Sequence, residues 1–163
     1  MFSDRLKKLT PYVPGEQPQD RSYLKLNTNE NPYPPSPTVK LILEDVDPGQ
    51  LRHLPDPEMN FLRKKIAHRY GVEKEQVFTG NGSDEVLSFA FYAFFDNRCG
   101  DLLFPEFTYS FYPVYCDFYG IRYKKIPLDE DFTIDINSFL SHKNSCGTIF
   151  PNPNAPTGVL LSL

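Results

Sequence analysis

Strands alternating with helices through the second half of the chain predict an α/β fold, a three-layer sandwich with a mostly parallel sheet covered on both faces. Two further observations narrow it. A glycine turn, Gly80-Asn81-Gly82, leads from an expected strand straight into a helix, the arrangement that places ligands at the carboxyl ends of strands in open α/β sheets. Residues 1–37 carry prolines at 11, 14, 18, 32, 34, 35 and 37, which fix φ and remove donors, so this stretch is expected to be an extended arm that needs something to lie on. The organisation expected is an arm over 1–37 and an α/β domain over 38–163.

The elements follow in order. A short helix is expected over Pro37–Asp45. Asp56 can cap a second helix, with Pro57 at its first position, Leu62, Ile66 and Tyr70 recurring every four residues, and Gly71 as its left-handed stop. Val77–Thr79 reads as a strand, Gly80–Gly82 as a turn, and Ser83 as the cap of a helix with Val86, Leu87, Ala90, Phe91 and Phe94 on its apolar face. Asp101–Phe104 is expected as strand, Tyr109–Tyr119 as helix, Ile121–Ile126 as strand, Ile134–Leu140 as helix and Thr148–Phe150 as strand. The final Gly158–Leu163 carries no charge, cap or stop signal where a new helix would begin, and reads as a cut.

Composition excludes several function classes. The 163 residues are 40% hydrophobic and 15% aromatic, enough for a core rather than disorder. A net charge of −4 with scattered Lys and Arg offers no footprint for nucleic acid or an anionic membrane. No run approaches a membrane span, and the charged residues 1–10 lack a signal-peptide core, so a cytoplasmic protein is expected. Cys99, Cys116 and Cys146 are widely spaced with no C-x-x-C and read as small buried hydrophobes, and the three histidines stand too far apart for a metal pair, so no metal is expected.

Three segments carry the chemistry. In Thr79-Gly-Asn-Gly-Ser-Asp-Glu85, glycines let the backbone approach a ligand. The free amides near Ser83, Asp84 and Glu85, with the helix dipole, favour an anion such as phosphate. The two carboxylates must then point away from it. The pattern is neither G-x-G-x-x-G nor a P-loop, so nicotinamide and triphosphate lose support. In Phe104–Tyr112, Tyr109 could stack on a flat heteroaromatic ring. Pro151-Asn-Pro-Asn-Ala-Pro-Thr-Gly158 is a stiff turn presenting amide side chains. Taken singly, these read equally well as a capped helix after a tight turn, a core tyrosine and a plain turn.

Together the three segments resemble the pyridoxal-phosphate aminotransferases of the aspartate aminotransferase fold, in the large domain of fold type I. Leu9-Thr-Pro-Tyr-Val-Pro-Gly15 and Leu26-Asn-Thr-Asn-Glu-Asn-Pro32 look like the opening of the histidinol-phosphate branch. The resemblance covers the whole chain but about the first 45% of a typical member. It implies pyridoxal 5'-phosphate as cofactor, with the Ser83, Asp84 and Glu85 turn on its phosphate, Tyr109 on its ring and Asn154 on its phenolic oxygen. The usual asparagine directly before Pro-Thr-Gly is Ala155 here, so Asn154 or Asn152 must substitute. Leu54 stands where relatives place a tyrosine that touches the neighbouring subunit's cofactor. Tyr12 and Asn31 are implied to reach substrate in the other subunit of a homodimer. The Schiff-base lysine is expected downstream, since none of the ten lysines has a matching context, so no catalytic residue is expected in this chain.

The implied activity of the full-length form is transamination between histidinol phosphate and 2-oxoglutarate. The alternatives are another aminotransferase or a threonine-phosphate decarboxylase of the same fold, and a non-catalytic truncated piece that acts only in dimerisation. The small-molecule substrates leave no part for nucleic acid or membrane.

Overall fold

The computed structural model describes residues 6–9, 13, 15–16, 18–19 and 23–162. They divide into two compact units, the described residues between 13 and 79, and residues 80–162 together with 6–9.

In the first unit, the described residues up to 36 form neither helix nor strand, as the prolines require. Helix α1, Pro37–Glu44, starts as expected: Ser36 Oγ accepts from the Thr38 amide and Pro37 occupies the first turn. Helix α2, Asn60–Tyr70, is shorter than its sequence pattern. Asp56 does cap, but it caps a separate turn, accepting from the amides of Glu58 at 3.0 Å and Asn60 at 2.9 Å. Met59 at φ 50 then breaks the backbone between that turn and the helix. Gly71, at φ 67, stops α2 as expected.

Val77–Thr79 is not a strand. Val77 has extended dihedrals, φ −110 and ψ 120. Its carbonyl, however, accepts from Arg63 Nε at 2.9 Å rather than from a ladder neighbour. Extended backbone becomes a strand only when another strand pairs with it.

The second unit holds the sheet. Helix α3 spans Ser83–Phe94, strand β1 Asp101–Pro105, helix α4 Phe111–Tyr119, strand β2 Tyr123–Ile126, helix α5 Ile136–Leu140 and strand β3 Ser145–Thr148. The order is β2-β1-β3, with both pairings parallel. Strand β1 is therefore central, and its residues 102–105 are all buried. Their alternation divides the core between two faces. Leu102 and Phe104 pack with Phe91, Tyr112, Tyr115, Cys116 and Ile121, under α3 and α4. Leu103 packs with Ile126, Ile134 and Phe139, on the α5 side. These are the three expected layers.

Strand β3 lies earlier than expected. A bulge pairs Asp101 with Ser145 but Leu102 with Gly147, and Ile149 continues the ladder with one bond from its amide to the Leu103 carbonyl. Gly147 is needed there, because a Cβ would lie 2.9 Å from the Phe95 ring. Cys99 is exposed rather than buried; Cys116 is buried, and all three thiols are free. Among the described residues no helix is long and apolar enough to cross a membrane.

Candidate functional site

The turn before α3 is built by its glycines. Gly82, at φ 87, is the N-cap, and having no side chain it leaves the helix uncapped. The sequence expectation of Ser83 as cap is therefore corrected: Ser83 is the first helical residue, and its amide with those of Asp84 and Glu85 has no helical acceptor. Gly80 leaves room for its neighbours, since a Cβ there would meet Val86 Cγ2 at 2.9 Å and Glu85 Oε2 at 3.0 Å and force those side chains to shift.

Both carboxylates of this turn are engaged. Glu85 folds back, its Oε2 accepting from the Asn81 amide at 2.6 Å. Asp84 Oδ1 accepts from Tyr109 Oη at 2.7 Å and lies 3.3 Å from Tyr115 Oη. Tyr115 Oη directs its single proton to the Asp84 backbone carbonyl at 3.0 Å, with Oδ1 as the longer arm of a three-centre bond. Burial first, and then the Asp84 carboxylate, push the Tyr115 phenol up to about 12, so it stays a donor. Residues 83–85 remain exposed.

Tyr109 does not open α4 as expected. Ser110 is the N-cap, and Tyr109 stands in the loop that follows β1. It is half-buried and edge-on to Tyr112 at 5.5 Å between centroids. That loop is braced by Asn154, which is 1% exposed. Asn154 Nδ2 donates to the Phe107 carbonyl at 2.9 Å and to Thr157 Oγ1 at 3.1 Å, while Oδ1 accepts from Thr108 Oγ1 at 3.0 Å. Asn152 is likewise engaged, exchanging two bonds with the Leu161 backbone. Both asparagines thus build their own turn, which contains cis peptides before Pro153 and Pro156. Ala155 has no amide to offer.

The structure brings Asp84 and Tyr109 together, with Asn154 under the same loop as Tyr109. Asn31 lies in the first unit, exposed, its Oδ1 accepting from the Tyr33 amide at 2.9 Å. Leu54, in the same unit, is 95% exposed. Tyr12 lies outside the described residues. Two residues escaped sequence reasoning: Thr108, beside a tyrosine that drew the attention, and Tyr115. The available signal for Tyr115 was the run Tyr112, Tyr115, Tyr119, a helical stripe whose polar tips need partners when buried.

The chain matches the aminotransferase class I and II family over residues 21–163. It is 61% identical to histidinol-phosphate aminotransferase of Syntrophus aciditrophicus, over 100% of this chain and 46% of that protein. It is 52% identical to the protein of the same name from Brachyspira hyodysenteriae, over 99% of this chain and 45% of that one. The chain thus spans about half the length of the curated relatives it matches. A solved chain from Erwinia carotovora atroseptica is similar in fold, with a TM-score of 0.73 at 24% identity, over 82% of this chain and 39% of its own. A three-layer parallel core, an uncapped helix after a glycine turn and a family match over residues 21–163 agree: the chain belongs to the aminotransferase class I and II family.

Proposed function

We propose that this chain forms the phosphate-holding side of the cofactor site of a histidinol-phosphate aminotransferase, which exchanges an amino group between histidinol phosphate and 2-oxoglutarate. The observation that carries the reading is identity of 61% sustained over the whole chain. The residues present fit pyridoxal phosphate: three amides without helical acceptors stand at a turn whose two carboxylates are already engaged. A half-buried tyrosine ring stands beside them.

When bound, pyridoxal phosphate supplies the electron sink for the carbanion left as the amine's Cα gives up its proton. In this reading, the amides of Ser83, Asp84 and Glu85, with the α3 dipole, hold the phosphate dianion. Tyr109 would lie against the pyridine ring. Asn154 would act through the loop that carries Tyr109, which it braces at Phe107 and Thr108. A bond from Asn154 to the phenolic oxygen would require its amide to release either the Phe107 carbonyl or Thr157. The residue that would move the Cα proton, a lysine in this reading, would lie in the part of the relatives' length that this chain does not span. Tyr12 and Asn31 serve the substrate of the partner subunit in a cytoplasmic homodimer.

The test uses the complete protein that contains these residues. Glutamate formation from histidinol phosphate and 2-oxoglutarate is expected in the presence of pyridoxal phosphate. Faster turnover of aromatic amino acids, or carbon dioxide release from threonine phosphate, would replace the substrate assignment.

A further inference from the structure

We propose that Tyr115 is a positioning residue for the phosphate seat: its hydroxyl ties the first turn of α3 to α4 and holds the Asp84 carboxylate off the amides that receive the phosphate. This rests on the reading of Ser83–Glu85 as that seat.

Tyr115 is buried, so water competes little for its hydroxyl, and that hydroxyl lies 3.0 Å from the Asp84 carbonyl and 3.3 Å from Oδ1. One turn further along each helix, Ser88 Oγ and Tyr119 Oη are 2.6 Å apart. Two hydroxyl links with the same four-residue spacing on both helices set the axial position of α3, and with it the position of its first amides. The rings contribute separately, Tyr115 lying 5.0 Å from Phe91 and 5.3 Å from Phe111 between centroids. Packing and polar tip can therefore be separated by one substitution.

The electrostatic part concerns Asp84. Its carboxylate sits on the residue whose own amide is to meet a dianion, and a released carboxylate there both competes for the free amides and repels the ligand. Tyr109 alone would then hold it, and Tyr109 is also assigned to the cofactor ring. The Tyr115 hydroxyl removes that conflict.

The test compares the complete protein with its Tyr115→Phe variant, measuring dissociation constants for pyridoxal phosphate and for pyridoxal, which lacks the phosphate. Tyr115→Phe is expected to weaken pyridoxal phosphate about tenfold, the usual scale for one hydrogen bond to a charged group, and to leave pyridoxal unchanged. Adding Asp84→Asn to Tyr115→Phe is expected to recover most of the loss, because a neutral amide does not repel the phosphate. Equal weakening of both ligands would mean general loosening and overturn the proposal, as would unchanged pyridoxal phosphate affinity or the absence of rescue. If the parent protein binds pyridoxal phosphate no better than pyridoxal, the phosphate seat itself is wrong and the proposal falls with it.

Discussion

Asn154 is a short side chain with every polar atom of its amide paired inside the protein, and that pairing joins two loops more than forty residues apart in sequence. Replacing it by Ala leaves the Thr108 hydroxyl and the Phe107 carbonyl without their partners. Leaving a buried group unpaired costs about 1–3 kcal/mol; these two are part-buried and fall in the lower half of that range, so Asn154→Ala is expected to destabilise the protein by about 2–4 kcal/mol in denaturant unfolding. Tyr115 makes a second prediction. Its phenol is raised to about 12, so the stability it contributes is whole below its ordinary value near 10 and is lost as pH rises between the two. An alkaline titration followed by phenolate absorbance is expected to show a late-ionising group that disappears in Tyr115→Phe. That variant should also lose less stability over the same pH range.

The elements owe their positions to aromatic packing between α3 and α4. Phe91, fully buried on α3, has Phe95 at 5.4 Å, Tyr112 at 5.7 Å and Tyr115 at 5.0 Å between ring centroids. It anchors the helix that begins at the proposed phosphate seat, so removing it bears on stability and on that proposal. Phe91→Ala is expected to cost about 3–5 kcal/mol, with a drop in thermal midpoint as the direct measure. Apolar periodicity in the sequence placed Phe91 on the buried face correctly. The same reading placed Phe94 there too, yet it is exposed at the far end of α3, where no described element covers it. Helix ends were legible where they depend on local backbone chemistry, as at Ser36-Pro37 and Gly71. They were misread at Asp56, whose capping capacity the residue does use, but one turn ahead of the helix.

At the scale of the molecule the two units differ in what they bury. Residues 102–105 form a sheet centre buried on both faces. Among the described residues between 13 and 79, by contrast, Ala67 is the one buried apolar side chain, while Leu24, Leu26, Leu54, Phe61 and Tyr70 are exposed. Covering a Leu or Phe side chain stabilises by about 1.5–3 kcal/mol, so this much uncovered apolar surface favours association. The isolated 163-residue chain is expected to sediment heavier than 18.8 kDa, with a concentration-dependent boundary. A single sharp boundary at the monomer mass, with a cooperative melt, would contradict it. Backbone amides of the described residues between 13 and 79 are also expected to exchange with solvent far faster than those of β1.

The sequence by itself determined the layer architecture, the glycine turn before α3 and the identity of the residues around it, because these depend on dihedral preferences, caps and periodicity within a few residues of each other. Tertiary structure decided what depends on partners distant in the chain. Val77 has the dihedrals of a strand residue but its carbonyl meets Arg63 rather than a ladder. A bulge against Asp101 set where β3 lies. The answer to why two carboxylates can stand at the proposed anion site was also distant. Glu85 turns back locally onto Asn81, but Asp84 is held by Tyr109 and Tyr115, 25 and 31 residues away, and only folding brings those hydroxyls within hydrogen-bond reach.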